Sequence, residues 1–248
     1  MTAVSKIEWT ERTWNPTVGC TKVSPGCKNC YAESMSMRLQ AMKVPGYEQG
    51  FKLAILPSRL QDPLKRKTKT TYFVNSMSDL FHDDVPFDYI DQVFDVISQA
   101  TQHTFQILTK RAERMAEYFK EKSAPSNAWL GVSVEDRKYG IPRIDHLRQI
   151  DAHIRFLSVE PLLEDIGELD LNGIHWVIVG GESGPRARPM KQEWVNAICN
   201  QCETAGVAFF FKQWGGWGAD GKKRAKKQNG RELNGRTWDA IPTTQQFL

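Results

Sequence analysis

A unit recurs along the chain: a short apolar run, polar residues at its end, then an amphipathic stretch. The apolar runs are residues 71–76 (TYFVNS), 104–109 (TFQILT), 128–134 (AWLGVSV), 154–160 (IRFLSVE), 175–181 (HWVIVGG) and 208–214 (AFFFKQW). Each is rich in β-branched or aromatic residues and short enough for a strand. Their nearly continuous apolar character predicts strands buried on both faces. Between them the apolar positions recur at helical spacing. Residues 87–100 place Ile90, Val93, Phe94 and Ile97 on one face. Residues 111–122 and 140–150 behave similarly, and residues 191–205 run to Gly206, which reads as a helix stop. Strand–helix alternation at this spacing predicts parallel βαβ units with right-handed crossovers. A further short strand is expected near residues 17–20. The set fits an α/β fold built as a partial or complete parallel (β/α) barrel. A doubly wound open sheet fits the pattern alone nearly as well.

Two stretches break the rhythm. Residues 40–69 are irregular and contain Pro45, Gly46, Pro57 and Pro63, and residues 215–248 are rich in Gly and Lys without clear periodicity. Both read as decorations on a single domain spanning residues 1–248. A chain of 248 residues allows that, because single α/β barrels of this size are ordinary. Hydrophobic residues make up 40% and charged residues 25%, enough for a substantial core without disulfides.

Charge adds a second feature. The formal net charge of +4 is mild, but it is unevenly placed. Lys65, Arg66, Lys67 and Lys69 form one basic run; Lys222, Lys223, Arg224, Lys226 and Lys227 form another. Each is either a solvated loop or a phosphate-contacting patch. The N-terminal segment has no apolar core of a signal peptide, and no window approaches the ~20 apolar residues of a membrane span. A cytoplasmic protein with no membrane partner is expected. Cysteines stay reduced there, so clustered cysteines point to metal or redox chemistry.

That cluster is GCTKVSPGCKNCYAE, with Cys20, Cys27 and Cys30 spaced C-x6-C-x2-C. Pro25 and Gly26 supply a turn that folds the loop back. Three thiolates can hold three irons of a cubane and leave the fourth open, whereas four would close it. They can equally hold a structural zinc whose fourth ligand comes from elsewhere. A position ahead of the first crossover favours the cluster. Cys199 and Cys202 share one face of a helical stretch, where they either pack in the core or complete a zinc site with Cys27 and Cys30.

Polar residues gather at the predicted strand ends, the face where (β/α) barrels carry their active sites. They include Asn75, Ser78 and Asp79; Lys110 and Arg111; Ser133 and Glu135; Glu160; Gly181 and Glu182; and Lys212 and Gln213. Strand ends also meet solvent, which makes any one of them unremarkable alone. The set as a whole, with Glu160 before Pro161 and Glu182 after a double glycine, reads as functional. Trp214 and Trp217, beside glycines, suit packing better than stacking on a base.

The cysteine loop resembles that of radical S-adenosylmethionine enzymes, which carry three cysteines after the first barrel strand, commonly as C-x3-C-x2-C. Here the first gap is wider, and Asn29 stands where an aromatic residue is usual, with Tyr31 following. The segments TWNPTVGCTKVSPGCKNCYAE, SMSDLFH, SVEPLL, VGGESG and FFFKQWGGW together resemble a phage-associated three-cysteine-motif family of uncharacterised function, across residues 9–242. The resemblance implies a partial (β/α) barrel of the radical SAM type. It also implies a 4Fe-4S cluster on Cys20, Cys27 and Cys30, with S-adenosyl-L-methionine bound through the open iron. One-electron reduction would then yield methionine and a 5′-deoxyadenosyl radical that abstracts hydrogen from a substrate.

By the same resemblance Asn75, Ser78 and Asp79 lie near the methionine amino group, and Ser133 and Glu135 near the ribose. Gly180 and Gly181 admit the cofactor closely. Glu160, Glu182, Lys110 and Lys212 are candidates to contact substrate or cofactor. The phage association and the basic runs make DNA or RNA the leading substrate expectation. Two rival readings remain: a zinc-stabilised nucleic-acid-binding protein, and a non-radical barrel hydrolase using Asp79, Glu160 and Glu182 as acid–base groups.

Overall fold

All six apolar runs form strands of one sheet in the computed structural model, which describes residues 3–5 and 7–242. The elements in chain order begin with β1 (Ala3–Val4), β2 (Arg12–Trp14), β3 (Thr17–Val18), α1 (Tyr31–Ala41), β4 (Ala54–Ile55) and β5 (Thr71–Val74). They continue with α2 (Phe87–Gln99), β6 (Thr104–Thr109), α3 (Ala112–Tyr118), β7 (Ala128–Ser133), α4 (Ile141–Arg148) and β8 (Ile154–Val159). The last are β9 (Trp176–Gly180), α5 (Gln192–Ala205), β10 (Ala208–Gln213) and α6 (Lys226–Asn229). The main sheet runs β1-β2-β5-β6-β7-β8-β9-β10. It is parallel from β2 to β10, and β1 pairs antiparallel at its edge. Chain order equals sheet order because successive crossovers keep one hand. Among the described residues no pairing joins the two ends, so the α/β fold is a mostly parallel, unclosed barrel.

One expected strand is corrected. The first parallel strand is Arg12–Trp14, whereas Thr17–Val18 leaves the sheet and pairs antiparallel with Ala54–Ile55. Pro16 accounts for this: it has no N–H for the ladder, so pairing stops there. Its carbonyl instead accepts from Leu56 N at 2.8 Å and Tyr89 Oη at 3.0 Å. Gly19 then turns with φ 79°, and a Cβ there would lie 2.2 Å from the Lys52 carbonyl oxygen. The segment 40–69 is largely irregular, as its prolines imply, with two short 3-10 turns at Pro57–Arg59 and Pro63–Lys65. The C-terminal segment folds back on β10. Phe211 N bonds Trp238 O at 3.0 Å and Trp176 Nε1 bonds Ala240 O at 2.9 Å. That covers an edge strand that would otherwise be open to pairing.

The two sheet faces differ. Along β7, Ala128, Leu130 and Val132 join the core beneath the helices, while Trp129 points to the inner face. This is the two-residue alternation of a strand. On the inner face Trp9, Phe73, Trp129, Phe156, Trp176 and Phe210 form an aromatic floor. Trp176 stands at its centre, with ring centroids 6.0 Å from Trp9 and Trp129, 5.6 Å from Phe156 and 6.1 Å from Phe210. Gly131 makes room for this floor, since a Cβ would lie 2.5 Å from the Phe156 ring. Trp129, Phe156, Trp176 and Phe210 occupy the N-terminal halves of their strands. Toward the C-terminal ends the inner face turns polar, which places the mouth there. No helix among the described residues is long and apolar enough to cross a membrane.

Candidate functional site

The cysteine loop lies over the C-terminal ends of the strands. Cys20 follows the Gly19 turn, Cys27 closes a 3-10 turn over Pro25–Cys27, and Cys30 precedes α1. All three thiols are free and half-buried. Five residues separate the end of β2 from Cys20, and they include the short strand β3, so the loop follows a three-residue strand rather than a long one.

Three carboxylates, each following a strand of the sheet, anchor this loop at three points. After β5, Asp79 accepts from Thr109 Oγ1 at 2.7 Å, Lys110 N at 3.1 Å and Phe81 N at 3.0 Å, and pairs with Arg111 at 3.2 Å. Arg111 in turn donates to Cys20 Sγ at 3.6 Å and to Thr21 Oγ1 at 2.7 Å. After β7, the fully buried Glu135 accepts from Ser24 Oγ and from Arg143 Nη1, the latter at 2.6 Å. Gly26 packs on that carboxylate, and a Cβ there would sit 2.9 Å from its Oε1. After β9, Glu182 accepts from Asn29 Nδ2 at 3.0 Å and from Arg188 Nη2 at 2.6 Å. Arg188 also donates to Pro25 O at 3.0 Å, and Asn29 to Arg186 O at 2.9 Å. Each cysteine therefore has a neighbour, or its own sulfur, held from a different strand end.

Electrostatics follow from this arrangement. Burial and the nearby Asp79 push the Cys20 thiol up to about 11, against the opposing pull of Arg111. Burial also disfavours charge on Glu135, but Lys110 and Arg143 outweigh it and hold the carboxyl below its ordinary range. The same balance holds at Glu182, where Arg188 and Asn29 overcome burial.

The inner wall of the mouth carries a second group. Glu160 receives Lys212 Nζ at 2.8 and 2.9 Å. The register shift between Phe211 and Gln213 places Lys212 at a bulge in β10. Gly180 faces Glu160, and a Cβ there would lie 3.1 Å from its carboxyl carbon. Gln213 Nε2 donates to Ser183 Oγ at 3.0 Å, while its buried Oε1 has no hydrogen-bond partner among the described residues. Lys110 Nζ donates to Ser133 Oγ at 3.0 Å.

The structure gives several sequence candidates specific partners. Asn75, with φ 58°, bonds Thr17 through both side-chain ends, at 2.9 and 3.4 Å. Ser78 Oγ meets Thr17 Oγ1 at 2.7 Å. Both side chains stitch β5 to the start of the cysteine loop. Gly181 packs against the β10 turn, where a Cβ would lie 2.0 Å from the Trp214 carbonyl oxygen. Trp214 and Trp217 pack, with indole N–H groups on Glu232 O at 2.8 Å and Ala187 O at 2.7 Å. Arg143, Arg188, Ser24 and Asn29 are structural partners of the site that sequence reasoning missed. Only Asn29 and Ser24 carried a signal, as members of the cysteine segment.

The donor set can be tested against its possible metals. Cys199 and Cys202 lie in the core on α5, where burial pushes their thiols up to about 11 and about 12. A zinc site completed with the loop would need four ligands around one ion, and α5 holds these two in the core instead. Among the described residues no group of three His, Cys, Asp or Glu side chains is gathered as a single ion requires. Three half-buried thiols without a fourth, on a turn-rich loop with N–H groups aimed at it, suit the donor set of a cubane with one open iron. The carboxylates a hydrolase would use are each committed to a cation: Asp79 to Arg111, Glu160 to Lys212 and Glu182 to Arg188.

The family described as "Protein of unknown function (DUF5131)" matches residues 4–242. No curated protein matches the sequence. Among solved structures the fold is similar to spore photoproduct lyase. A cysteine-to-serine variant of that enzyme gives a TM-score of 0.51 at 12% identity. A cysteine-to-alanine variant with dinucleoside spore photoproduct gives 0.50 at 12% identity. In both, the match covers 81% of this chain and 63% of the lyase chain, so this chain spans less than two thirds of its neighbour's length. The likeness is one of fold: an α/β architecture with a mostly parallel sheet.

Proposed function

The chain belongs to the DUF5131 family, and we propose that it is an iron–sulfur enzyme of the radical S-adenosylmethionine type. One observation carries the reading: three free thiols share a loop that three buried or part-buried carboxylates grip from separate strand ends at the barrel mouth. Cys20, Cys27 and Cys30 would hold a 4Fe-4S cluster, and the iron left without a cysteine would take S-adenosyl-L-methionine. When bound, these groups supply one-electron cleavage to a 5′-deoxyadenosyl radical.

The chain's own residues position, hold charge and exclude water. Arg111 presents a positive N–H to the Cys20 sulfur, and Asp79 fixes Arg111. Asn75 and Ser78 hold the β5 loop against the cysteine loop, beside the expected place of the methionine amino group. Ser133 and Glu135, both within the influence of Lys110, form the side assigned to the ribose. Gly180 keeps the wall open in front of Glu160, so that the Glu160–Lys212 pair faces the substrate. Gly181 and Glu182 act as positioning residues, the first through Trp214 and the second through Asn29 and Arg188. The aromatic floor closes the barrel below and keeps water from the reacting end.

Nucleic acid is the substrate class of this reading. The dinucleoside spore photoproduct carried by one similar structure supports it. A reducing, cytoplasmic setting suits five free cysteines.

The test is anaerobic purification and reconstitution. About four irons and four acid-labile sulfides per chain are expected for one cubane. Dithionite and S-adenosyl-L-methionine should then yield 5′-deoxyadenosine, detected by chromatography. Stoichiometric zinc with no acid-labile sulfide would overturn the reading.

A further inference from the structure

The two basic runs of the sequence lie at opposite ends of the sheet. Lys65, Arg66, Lys67 and Lys69 precede β5 and so stand at the N-terminal edge. There Arg66 donates to Thr70 Oγ1 at 2.7 Å, and its carbonyl meets His103 Nε2 at 3.0 Å, just ahead of β6. The aromatic floor separates that edge from the mouth.

The second run follows β10 and lies at the mouth. Gly216 N bonds Glu182 O at 2.8 Å, Trp217 Nε1 bonds Ala187 O at 2.7 Å and Lys223 Nζ bonds Pro185 O at 2.6 Å. Those contacts stack it on the turn that carries Glu182 and Arg188, which itself grips Asn29 and Pro25 of the cysteine loop. A continuous rim results. On it Lys28, Arg186, Lys222, Lys223 and Lys227 are exposed. Of the acids beside it, Glu182 is bound by Arg188 and Asp220 by Arg224, while Glu232 is exposed. On the β5 side of the mouth Asp83 and Asp84 are exposed, Asp83 beside Arg111 at 3.5 Å. Exposed cations outnumber exposed acids along the β9–β10 side, and the side across from it exposes two acids.

We propose that this rim is the landing surface for a single nucleic-acid strand, and that the basic run at residues 65–69 takes no part. Five exposed cations along one side of a recessed opening suit a phosphate backbone, which would run along the β9–β10 side and turn a base toward the barrel. The acidic side repels the same backbone and so sets its path. The proposal rests on the reading above only in taking the mouth as the reacting end.

Fluorescence anisotropy with single-stranded DNA and RNA oligonucleotides tests it. About three to four phosphate contacts should give a slope of log K against log salt of roughly −2 to −3. The triple variant K222Q/K223Q/K227Q should weaken binding at least tenfold at low salt and flatten the slope by about 2. K222R/K223R/K227R should restore it. K65Q/K67Q/K69Q should bind as the parent does. The proposal is overturned if the parent shows no salt-dependent binding, if the rim variant binds like the parent, or if the edge variant weakens as much. Iron and sulfide measured on the same preparations separate the two readings. Rim-dependent binding by a cluster-free protein would sink the radical enzyme and leave the rim standing.

Discussion

Arg111 Nη1 lies 3.6 Å from Cys20 Sγ and 3.2 Å from Asp79 Oδ2, so one buried guanidinium joins the first cysteine to a carboxylate that follows β5. A fixed positive charge beside a cluster ligand favours the more negative, reduced state. Arg111→Gln should therefore lower the cluster's midpoint potential. A loss of about 1–2 kcal/mol, below the ~4 kcal/mol of a pair of unit charges 4 Å apart at a dielectric near 20 because the added electron is spread over the cluster, corresponds to roughly 40–90 mV for a one-electron couple. Arg111→Lys should keep most of the potential. EPR-monitored redox titration reads the shift; an unchanged potential at full iron content would remove Arg111 from this role.

The cysteines divide by burial. Cys20→Ala, Cys27→Ala and Cys30→Ala should each lose most of the iron without unfolding the chain, because the loop thiols are half-buried and carry little packing. Cys202→Ala should do the reverse, keeping the iron and costing about 1 kcal/mol of stability for a fully buried side chain. Iron assay and urea unfolding of all four variants check the pattern. In the folded, iron-free protein, thiol reagents at neutral pH should label Cys27 and Cys30 faster than Cys20, and spare the core residues Cys199 and Cys202.

Glu182 should make the cysteine loop acid-sensitive. Its carboxyl is held below the ordinary value of 4.5, chiefly by Arg188 and Asn29 acting against burial. A depressed carboxylate contributes stability that is present above the unfolded-state value and is lost as pH falls through the folded one. The parent should therefore lose stability below about pH 4.5 more steeply than Glu182→Gln, which starts lower at pH 7 by about 1–3 kcal/mol. Thermal unfolding of both iron-free proteins between neutral and acid pH measures the difference. Parallel curves would show that the anchor is not ionic.

Gly131→Ala tests the aromatic floor. The added methyl would start 2.5 Å from the Phe156 ring, within a wall of rings that cannot swing aside. Overpacking of this kind costs about 1–3 kcal/mol. Phe156→Leu in the same chain should recover part of the loss, as a double-mutant cycle in urea would report. Simple additivity would mean the floor yields where it is drawn tight.

The strands and the cysteine loop were legible in the sequence because they are local. Six apolar runs carry their own length and β-branched or aromatic character, and C-x6-C-x2-C needs no partner to be seen. The first parallel strand was not legible, because Arg12–Trp14 is short and only one of its three residues is apolar. Pro16, not hydrophobicity, decides where the ladder stops.

The anchors were beyond reach for another reason. Ser24 meets Glu135 across 111 positions, and Asn29 meets Glu182 across 153, so only the folded sheet brings each carboxylate to its stretch of loop. Sequence position marked Glu135 and Glu182 as strand-end residues; tertiary contact turned both into supports for the thiols. The basic runs fall between these cases. In a parallel sheet all strands point one way, so a run before a strand and a run after a strand must lie at opposite ends. Strand direction alone thus separates Lys65 from Lys222. Stacking the second run on the turn beside the cysteine loop required the β9–β10 packing that Gly181 and Trp214 allow.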